Sequence, residues 1–332
     1  QGHRRSFRDG QLSPRYKRAV MATRPVDPAQ PNTFRTAIAA AARKLASGAL
    51  VAFPTETVYG LGADATNGEA LARLFEAKGR PRINPLIVHV ESVKAARKVV
   101  IFNPVAVKLA EAFWPGPLTL VLPKGAKCPV HDLASAGLAT LGVRVPAHPE
   151  AQALILSAGV PIAAPSANAS GEPSPTRAAH VAESLGDGIT VLDAGPCNAG
   201  LESTVIGFDG HVPVLLRLGA TPRDEIEAVV GPLREASDDA ARPSSPGRLL
   251  RHYAPRARLR INAVAPERGE LFIAFGPTDV EGALQLSEAG STREAAMNLF
   301  ALLREADKRG ATAIAVAPVP DHGLGEAVND RL

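Results

Sequence analysis

Residues 49–63 read Ala49-Leu-Val-Ala-Phe-Pro-Thr-Glu-Thr-Val-Tyr-Gly-Leu-Gly-Ala63. The five apolar residues Ala49–Phe53, stopped by a proline, predict a strand buried on both faces. A helix precedes it. It starts from a cap at Asn32 or Thr33, carries Phe34, Ile38, Ala41 and Leu45 on one face, and stops at Gly48. A loop follows the strand, then a second helix around Leu71, Leu74 and Phe75 that Gly79 closes. Helix, buried strand and helix in succession predict an α/β fold. Gly60-Leu-Gly62-Ala-Asp-Ala65 mimics a dinucleotide-binding G-x-G-x-x-A, and Glu91 even follows the next strand. Five residues, Thr55 to Tyr59, nevertheless separate the strand from the glycines. The tight βα turn that such a site requires is therefore lost.

The alternation continues on both sides of this stretch. Strand-like runs recur at 86–90, 117–122, 139–145, 160–164, 189–193, 203–208 and 212–218. Helices open at Asn103-Pro104, Thr176 and Thr221-Pro222, and close at Trp114-Pro115, Gly186 and Gly231. Residues 232–256 are polar and rich in Pro and Ser, which predicts a linker. Beyond it, strands at 270–275 and 312–317 flank a helix with a capping box, Ser291…Glu294. The 332 residues thus divide into a basic, disordered extension (1–24), a large α/β domain (25–231), a linker (232–256) and a small α/β domain (257–332).

Hydrophobic residues make up 45% of the chain and aromatic residues only 4%, so the cores must be aliphatic. No apolar run reaches the roughly 18 residues that span a bilayer. Cys128 and Cys197 stand alone, without zinc spacing, and predict a reducing, cytoplasmic setting with no disulfide framework. The net charge of +4 invites a nucleic-acid reading. However, the first 24 residues hold seven basic side chains and one acid, which leaves residues 25–332 at −2. The basic signal belongs to the extension.

No P-loop, nucleophile elbow or H-E-x-x-H occurs. Three segments suit anions instead. Lys78-Gly-Arg-Pro81, with Asn84-Pro85 beyond, offers a point charge, a planar fork and an amide; cations opposing a helix dipole explain it equally well. Pro165–Thr176 is dense in hydroxyls and leads into a helix N-terminus, or is merely a solvated loop. Arg144 and Arg217 interrupt apolar β-type runs, where an arginine needs a carboxylate or phosphate partner. His89 reads most simply as a satisfied core histidine, and His148 and His180 carry no stronger signal.

Taken in order, Phe53–Ala63, Lys78-Gly-Arg-Pro81, Asn84-Pro-Leu-Ile-Val-His89, Trp114-Pro-Gly-Pro-Leu-Thr119, Val143-Arg-Val-Pro146, Pro161-Ile-Ala-Ala-Pro-Ser-Ala-Asn168 and Glu202-Ser-Thr-Val205 form a series. It resembles the threonylcarbamoyl-AMP synthase family, whose core is the YrdC-like domain, over about residues 32–220. Ser245-Pro-Gly247, Arg251-His-Tyr-Ala-Pro255 and Gly323–Leu332 resemble its longer, two-domain form. The resemblance implies a twisted mixed sheet with a concave, positively charged cleft, a smaller Rossmann-like α/β domain, and a linker reaching back over the cleft.

It also implies an enzyme that makes L-threonylcarbamoyladenylate and pyrophosphate from L-threonine, bicarbonate and ATP, for modification of tRNA by downstream transfer machinery. Threonine would meet Thr57, His89, Arg144, the backbone at Ala164, and Ser203. ATP would meet Lys78, Arg80, Asn84, Thr140, Ser166, Asn168, Ser174 and Arg217. His252 and Tyr253 are candidates for closing over it. The family's Met-Lys-Tyr is replaced here by Arg248-Leu249-Leu250, which removes an aromatic contact at Leu250. Mg²⁺ would arrive with the triphosphate, since no carboxylate cage is legible. Such chemistry needs alignment and charge neutralisation rather than a protein nucleophile, which accounts for the missing triad. Two other readings stay open: an RNA-binding module, with direct tRNA contact undecided, and a carbamoyl-transferring relative, which is usually a much longer chain with zinc-finger-like cysteines.

Overall fold

The computed structural model describes residues 20–21, 31–236 and 255–332. Most of segment 1–24 lies outside the described residues, as do Leu250, His252 and Tyr253. The larger sheet comprises β1 (Val20–Met21), β2 (Val51–Phe53), β3 (Gly60–Asp64), β4 (Ile87–His89), β5 (Leu118–Pro123), β6 (Thr140–Arg144), β7 (Ile162–Ala163), β8 (Thr190–Leu192), β9 (Thr204–Asp209), β10 (Val212–Arg217) and β11 (Arg234–Glu235). Their order is β1-β8-β2-β3-β7-β4-β6-β5-β9-β10-β11. Parallel pairs such as β4 with β6 alternate with antiparallel ones such as β5 with β6, so the sheet is mixed. Around it lie α1 (Pro31–Ala46), α2 (Gly68–Lys78), α3 (Val93–Val99), α4 (Pro104–Phe113), α5 (Pro149–Ala158), α6 (Ala178–Leu185) and α7 (Arg223–Val230).

The caps follow the sequence in part: α1 already starts at Pro31, and α6 and α7 start after Arg177 and Pro222 without a side-chain cap from Thr176 or Thr221. Asn67 accepts from the N–H groups of Glu69 and Ala70 to start α2, and Gly79 ends it at φ 59°, a left-handed turn that glycine adopts without strain. Asn103 caps α4 through the Ala106 N–H at 2.8 Å. The main departure is at the glycines. Gly60-Leu-Gly62 is not part of a loop but of β3, antiparallel to β2. A Cβ on Gly62 would stand 2.8 Å from the Phe53 ring, so glycine there admits a close strand neighbour rather than a phosphate.

Strand alternation sends side chains to opposite faces. In β2, Ala52 enters the main core under α2, α3 and α4, while Val51 and Phe53 join a second cluster with α1 and α5. In the centre of the sheet, Val88, Leu118, Leu120, Leu141, Val143 and Ile206 again face the main core. Their opposite face holds only a small cluster, Ile87, Val121 and Val205, with Leu216 against it. The residues in phase with these, His89, Thr119 and Arg144, occupy the same uncovered face, and the candidate site lies there.

The second domain comprises β12 (Arg258–Arg260), β13 (Leu271–Phe275), β14 (Leu284–Ser287), α8 (Thr292–Lys308), β15 (Ala313–Val316) and α9 (Leu324–Asn329). Its four strands are all parallel, in the order β12-β15-β13-β14. Ser291 caps α8 as read, but Glu294 turns to Ser287 Oγ at 2.5 Å instead of closing the box on Ser291. This domain is seated on the first. Val58 and Leu201 are part of its core, among Ala296, Leu299 and Leu303. Gly200 lies so close to α8 that a Cβ would fall 2.3 Å from Met297 Cα. Arg304 donates to the Pro173 carbonyl, and Lys308 pairs with Glu183 at 2.7 Å.

Candidate active site

A cleft of about 540 Å³ opens on the uncovered face of the sheet. Thr57, Arg80, His89, Arg144, Ala164, Ser166, Ser203 and Arg217, all anticipated from sequence, line it together with Thr55, Val58, Gly60, Ile87, Pro165 and Glu202. They come from seven separate stretches of chain. Three arginines and a single carboxylate thus line one concavity, an arrangement suited to anionic ligands.

Arg144 ends β6 directly beside His89 of β4 in the strand register. Its guanidinium is aimed by three neighbours. Nε donates to the Gly116 carbonyl at 3.0 Å, Nη1 to Thr57 Oγ1 at 2.9 Å, and Nη2 lies 2.7 Å from the Glu56 carboxylate. Gly116 presents that carbonyl from the turn after the cis Trp114–Pro115 bond, where a Cβ would stand 2.2 Å from Phe113 O. Thr55 Oγ1 donates to the Val58 carbonyl at 2.7 Å, so the 2.6 Å contact between the two threonines must be donated by Thr57. Burial raises the Glu56 carboxyl, but Arg144 outweighs it and the group falls below its usual range. An ionised Glu56 thus balances Arg144.

His89 is buried, and its Nδ1 has no partner among the described residues. Burial, reinforced by the charge of Arg144 and opposed by Glu56, lowers its pKa to about 3. The imidazole is neutral at any working pH. A satisfied core histidine is therefore not what the structure contains. Ala164 commits its N–H to the Ile87 carbonyl at 3.0 Å, so a ligand there meets its carbonyl.

Across the cleft, Ser203 Oγ lies 2.7 Å from Thr119 Oγ1. Arg217 reaches Ser203 through its carbonyl, at 2.8 Å from Nη2, and its hydroxyl, at 3.3 Å. Glu202 stands beside them. Burial raises its pKa, but Arg331, then Arg217 and Ser174, bring it below the carboxylate norm. Arg80 holds its own loop, donating to the carbonyls of Asn84 at 3.1 Å and Pro85 at 2.8 Å.

The other anticipated contacts among the described residues do not line the cleft. Lys78 is buried and donates to the carbonyls of Ser166 and Asn168, where burial and the adjacent Arg80 depress its pKa well below a lysine's. It shapes the 165–168 loop from behind. Asn168 folds the same loop through the carbonyls of Ala169 and Glu172. Ser174 donates to Glu202. Asn84 is buried, with Oδ1 unpartnered among the described residues. Thr140 shares the face of Arg144 but sits at the other end of β6. Sequence reading assigned no role to Thr55, Glu56, Gly116, Thr119, Glu202 or Arg331. For Glu56 and Glu202 a signal existed: each is a lone acid inside an otherwise apolar or hydroxyl-bearing motif. The partner of Glu202 lies 129 residues away and left no local trace.

Comparison with known proteins agrees with this architecture. Residues 43–219 match the family model described as "Telomere recombination", and residues 221–332 the one described as "Threonylcarbamoyl-AMP synthase, C-terminal domain". The threonylcarbamoyl-AMP synthase of Bacillus subtilis is 41% identical, over 89% of this chain and 91% of its own. That of Pyrococcus abyssi is 44% identical, over 88% and 92%. The crystal structure of P. abyssi Sua5 complexed with L-threonine superposes with a TM-score of 0.83 at 42% identity, covering 90% of this chain and 93% of that one. Both domains, their order and the fold are shared, and the chain belongs to the threonylcarbamoyl-AMP synthase family.

Proposed function

We propose that the cleft converts L-threonine, bicarbonate and ATP into L-threonylcarbamoyladenylate and pyrophosphate, supplying the threonylcarbamoyl group that is transferred to tRNA. The observation that carries this reading is the convergence of Thr57, His89, Arg144 and Ser203 with Arg80 and Arg217 in one concavity. The P. abyssi relative, crystallised with L-threonine, supports the amino acid. Arg144, held by Thr57 and Gly116, takes the threonine carboxylate in place of Glu56. Neutral His89, Thr57, Ser203 and the Ala164 carbonyl receive the polar groups of the amino acid. Arg80 and Arg217 receive the polyphosphate, and the loop built on Lys78, Asn84 and Asn168, with Ser174 and Thr140, forms the nucleotide's surroundings. His252 and Tyr253 keep the role of closing residues that the resemblance implies.

The threonine amine adds to bicarbonate with loss of water and gives a carbamate. A carbamate oxygen then forms a bond to the α-phosphorus of ATP while the bond to the bridging oxygen breaks, and pyrophosphate leaves with the electron pair. The protein's share is alignment and neutralisation of the charge on the leaving phosphates. Arg217 and Arg80 are placed for the latter. Glu56 pairs with Arg144 and Glu202 with Arg331, and among the described residues no cluster of metal ligands occurs. Mg²⁺ enters with ATP as part of the substrate. A cytoplasmic setting rests on Cys128 and Cys197 being free thiols. Incubation with ATP, Mg²⁺ and bicarbonate should release pyrophosphate only when threonine is added. Release without threonine, or none with it, refutes the reading.

A further inference from the structure

The amino-acid side of the cleft draws its groups from two kinds of support. His89 and Arg144 stand side by side in the register of β4 and β6, so the ladder of the sheet fixes one against the other. Thr57 and Ser203 lack that support. Thr57 lies in the loop between β2 and β3, and Ser203 precedes the first residue of β9. Groups outside the regular ladder hold a position only as firmly as the packing beneath them.

For both hydroxyls that packing leads to the second domain through residues 199–201. Ala199 donates its N–H to the Glu56 carbonyl at 2.8 Å, which ties this segment to the loop that carries Thr57. Gly200, at φ 74°, lies against α8, where a Cβ would run into the backbone of Met297. Leu201 is fully buried in the second core, in one cluster with Ala296, Leu299 and Leu303 of α8, and does not line the cleft. Two residues on, Ser203 Oγ lies 2.7 Å from Thr119 Oγ1. We propose that Leu201 is a positioning residue for threonine. Sunk in the core of the second domain, it sets Ser203 directly, and Thr57 through the Ala199–Glu56 hydrogen bond, against Arg144 and His89 on the sheet. This rests on the reading of Thr57 and Ser203 as threonine contacts given above. The nucleotide side has a support apart from Leu201, since Arg80 donates to the carbonyls of its own loop, Asn84 and Pro85.

Steady-state pyrophosphate release by the full chain tests it, with threonine and ATP varied separately. Leu201→Ala should raise the KM for threonine about fivefold or more. The KM for ATP should stay within about twofold; a small change is allowed there because Arg217 Nη2 bonds the Ser203 carbonyl at 2.8 Å. Leu201→Met refills the volume and should bring the KM for threonine back to within about twofold of the parent. A merely structural role predicts less active protein, and so a lower kcat, with both KM values unmoved. That result overturns the proposal. So does a rise in the KM for ATP that equals or exceeds the rise for threonine, or a Leu201→Met variant as impaired as Leu201→Ala. Should Leu201→Ala fail to fold, Leu201→Val decides: a rise confined to the KM for threonine sustains the proposal and an unchanged KM overturns it. Ser203→Ala separates the two layers. An unchanged KM for threonine in Ser203→Ala removes the reading of that hydroxyl as a threonine contact. A rise there beside an unaffected Leu201→Ala removes only the role of Leu201.

Discussion

The two sheets treat their faces differently. In the small parallel sheet, Ile273, Leu286, Ile314 and Val316 face α8 and α9, and Phe272, Ala274, Ala315 and Ala317 form a cluster on the other side. Apolar residues cover both faces. In the centre of the large sheet one face is equally apolar, but the other bears His89, Thr119, Arg144, Ser203 and Arg217 around a cluster of three buried residues. Burying that many polar groups is costly unless each finds a partner; here Thr119, Ser203 and Arg217 bond to one another, Arg144 is held by Gly116, Thr57 and Glu56, and His89 Nδ1 has no partner among the described residues. The contrast separates a sheet that supports from a sheet that binds.

Removing the cation from the binding face should have the largest effect. Arg144→Ala leaves Glu56 as an uncompensated buried carboxylate and takes away the fork for the threonine carboxylate. The KM for threonine should rise about a hundredfold or more, with a smaller change for ATP. Equal effects on the two substrates would break the assignment of Arg144. In the supporting sheet the same size of perturbation should act on stability alone. Leu299 is fully buried in the core of the second domain. Leu299→Ala should cost about 2–5 kcal/mol in denaturant unfolding while the KM for threonine at 25 °C stays unchanged. A shift in that KM would mean that the second core reaches the amino-acid subsite through Val58.

The smallest effect concerns pH. His89 on the binding face and His180, whose Nδ1 accepts from the Thr176 N–H, both have pKa values lowered to about 3, by burial first and by nearby cations second. Both are neutral in the folded protein and protonate near 6.5 when unfolded. The unfolded state thus binds more protons between these values, and stability must fall as pH drops below 6.5. At pH 5 the loss is about 2 kcal/mol for each histidine. Urea midpoints measured from pH 7 to pH 5 should fall accordingly, and His180→Gln should flatten the slope by about half. A flat profile in the parent protein would place these imidazoles in water.

Much of this was legible from residues alone, and the limits have physical causes. Apolar runs located β2, β4 to β10, β13 and β15 because burial on one or both faces imposes them. β3 was missed because Gly60 and Gly62 carry no side chain to report a face, and β12 and β14 because they are short and part polar, Arg258-Leu259-Arg260 and Leu284-Gln-Leu-Ser287. α5 was missed because Ala, Leu and Ile wrap too much of Pro149–Ala158 for a one-sided stripe to show. In the site, Arg144 and Arg217 stood out as charges inside apolar runs. Lys78 was drawn toward the ligand by its neighbours in sequence, yet the carbonyls of Ser166 and Asn168 hold it behind the loop. Arg331 and Glu202 meet only through the docking of two domains, which no local pattern encodes.

The hydrogen bonds that run from Arg144 through Thr57 and Thr55 to the Val58 carbonyl have a sense of direction. Each hydroxyl proton is already spoken for, so Thr57 can receive a proton but has none to give. Whatever sits against that oxygen must therefore bring its own N–H or O–H. An amine or a hydroxyl meets that condition and an ionised carboxylate does not.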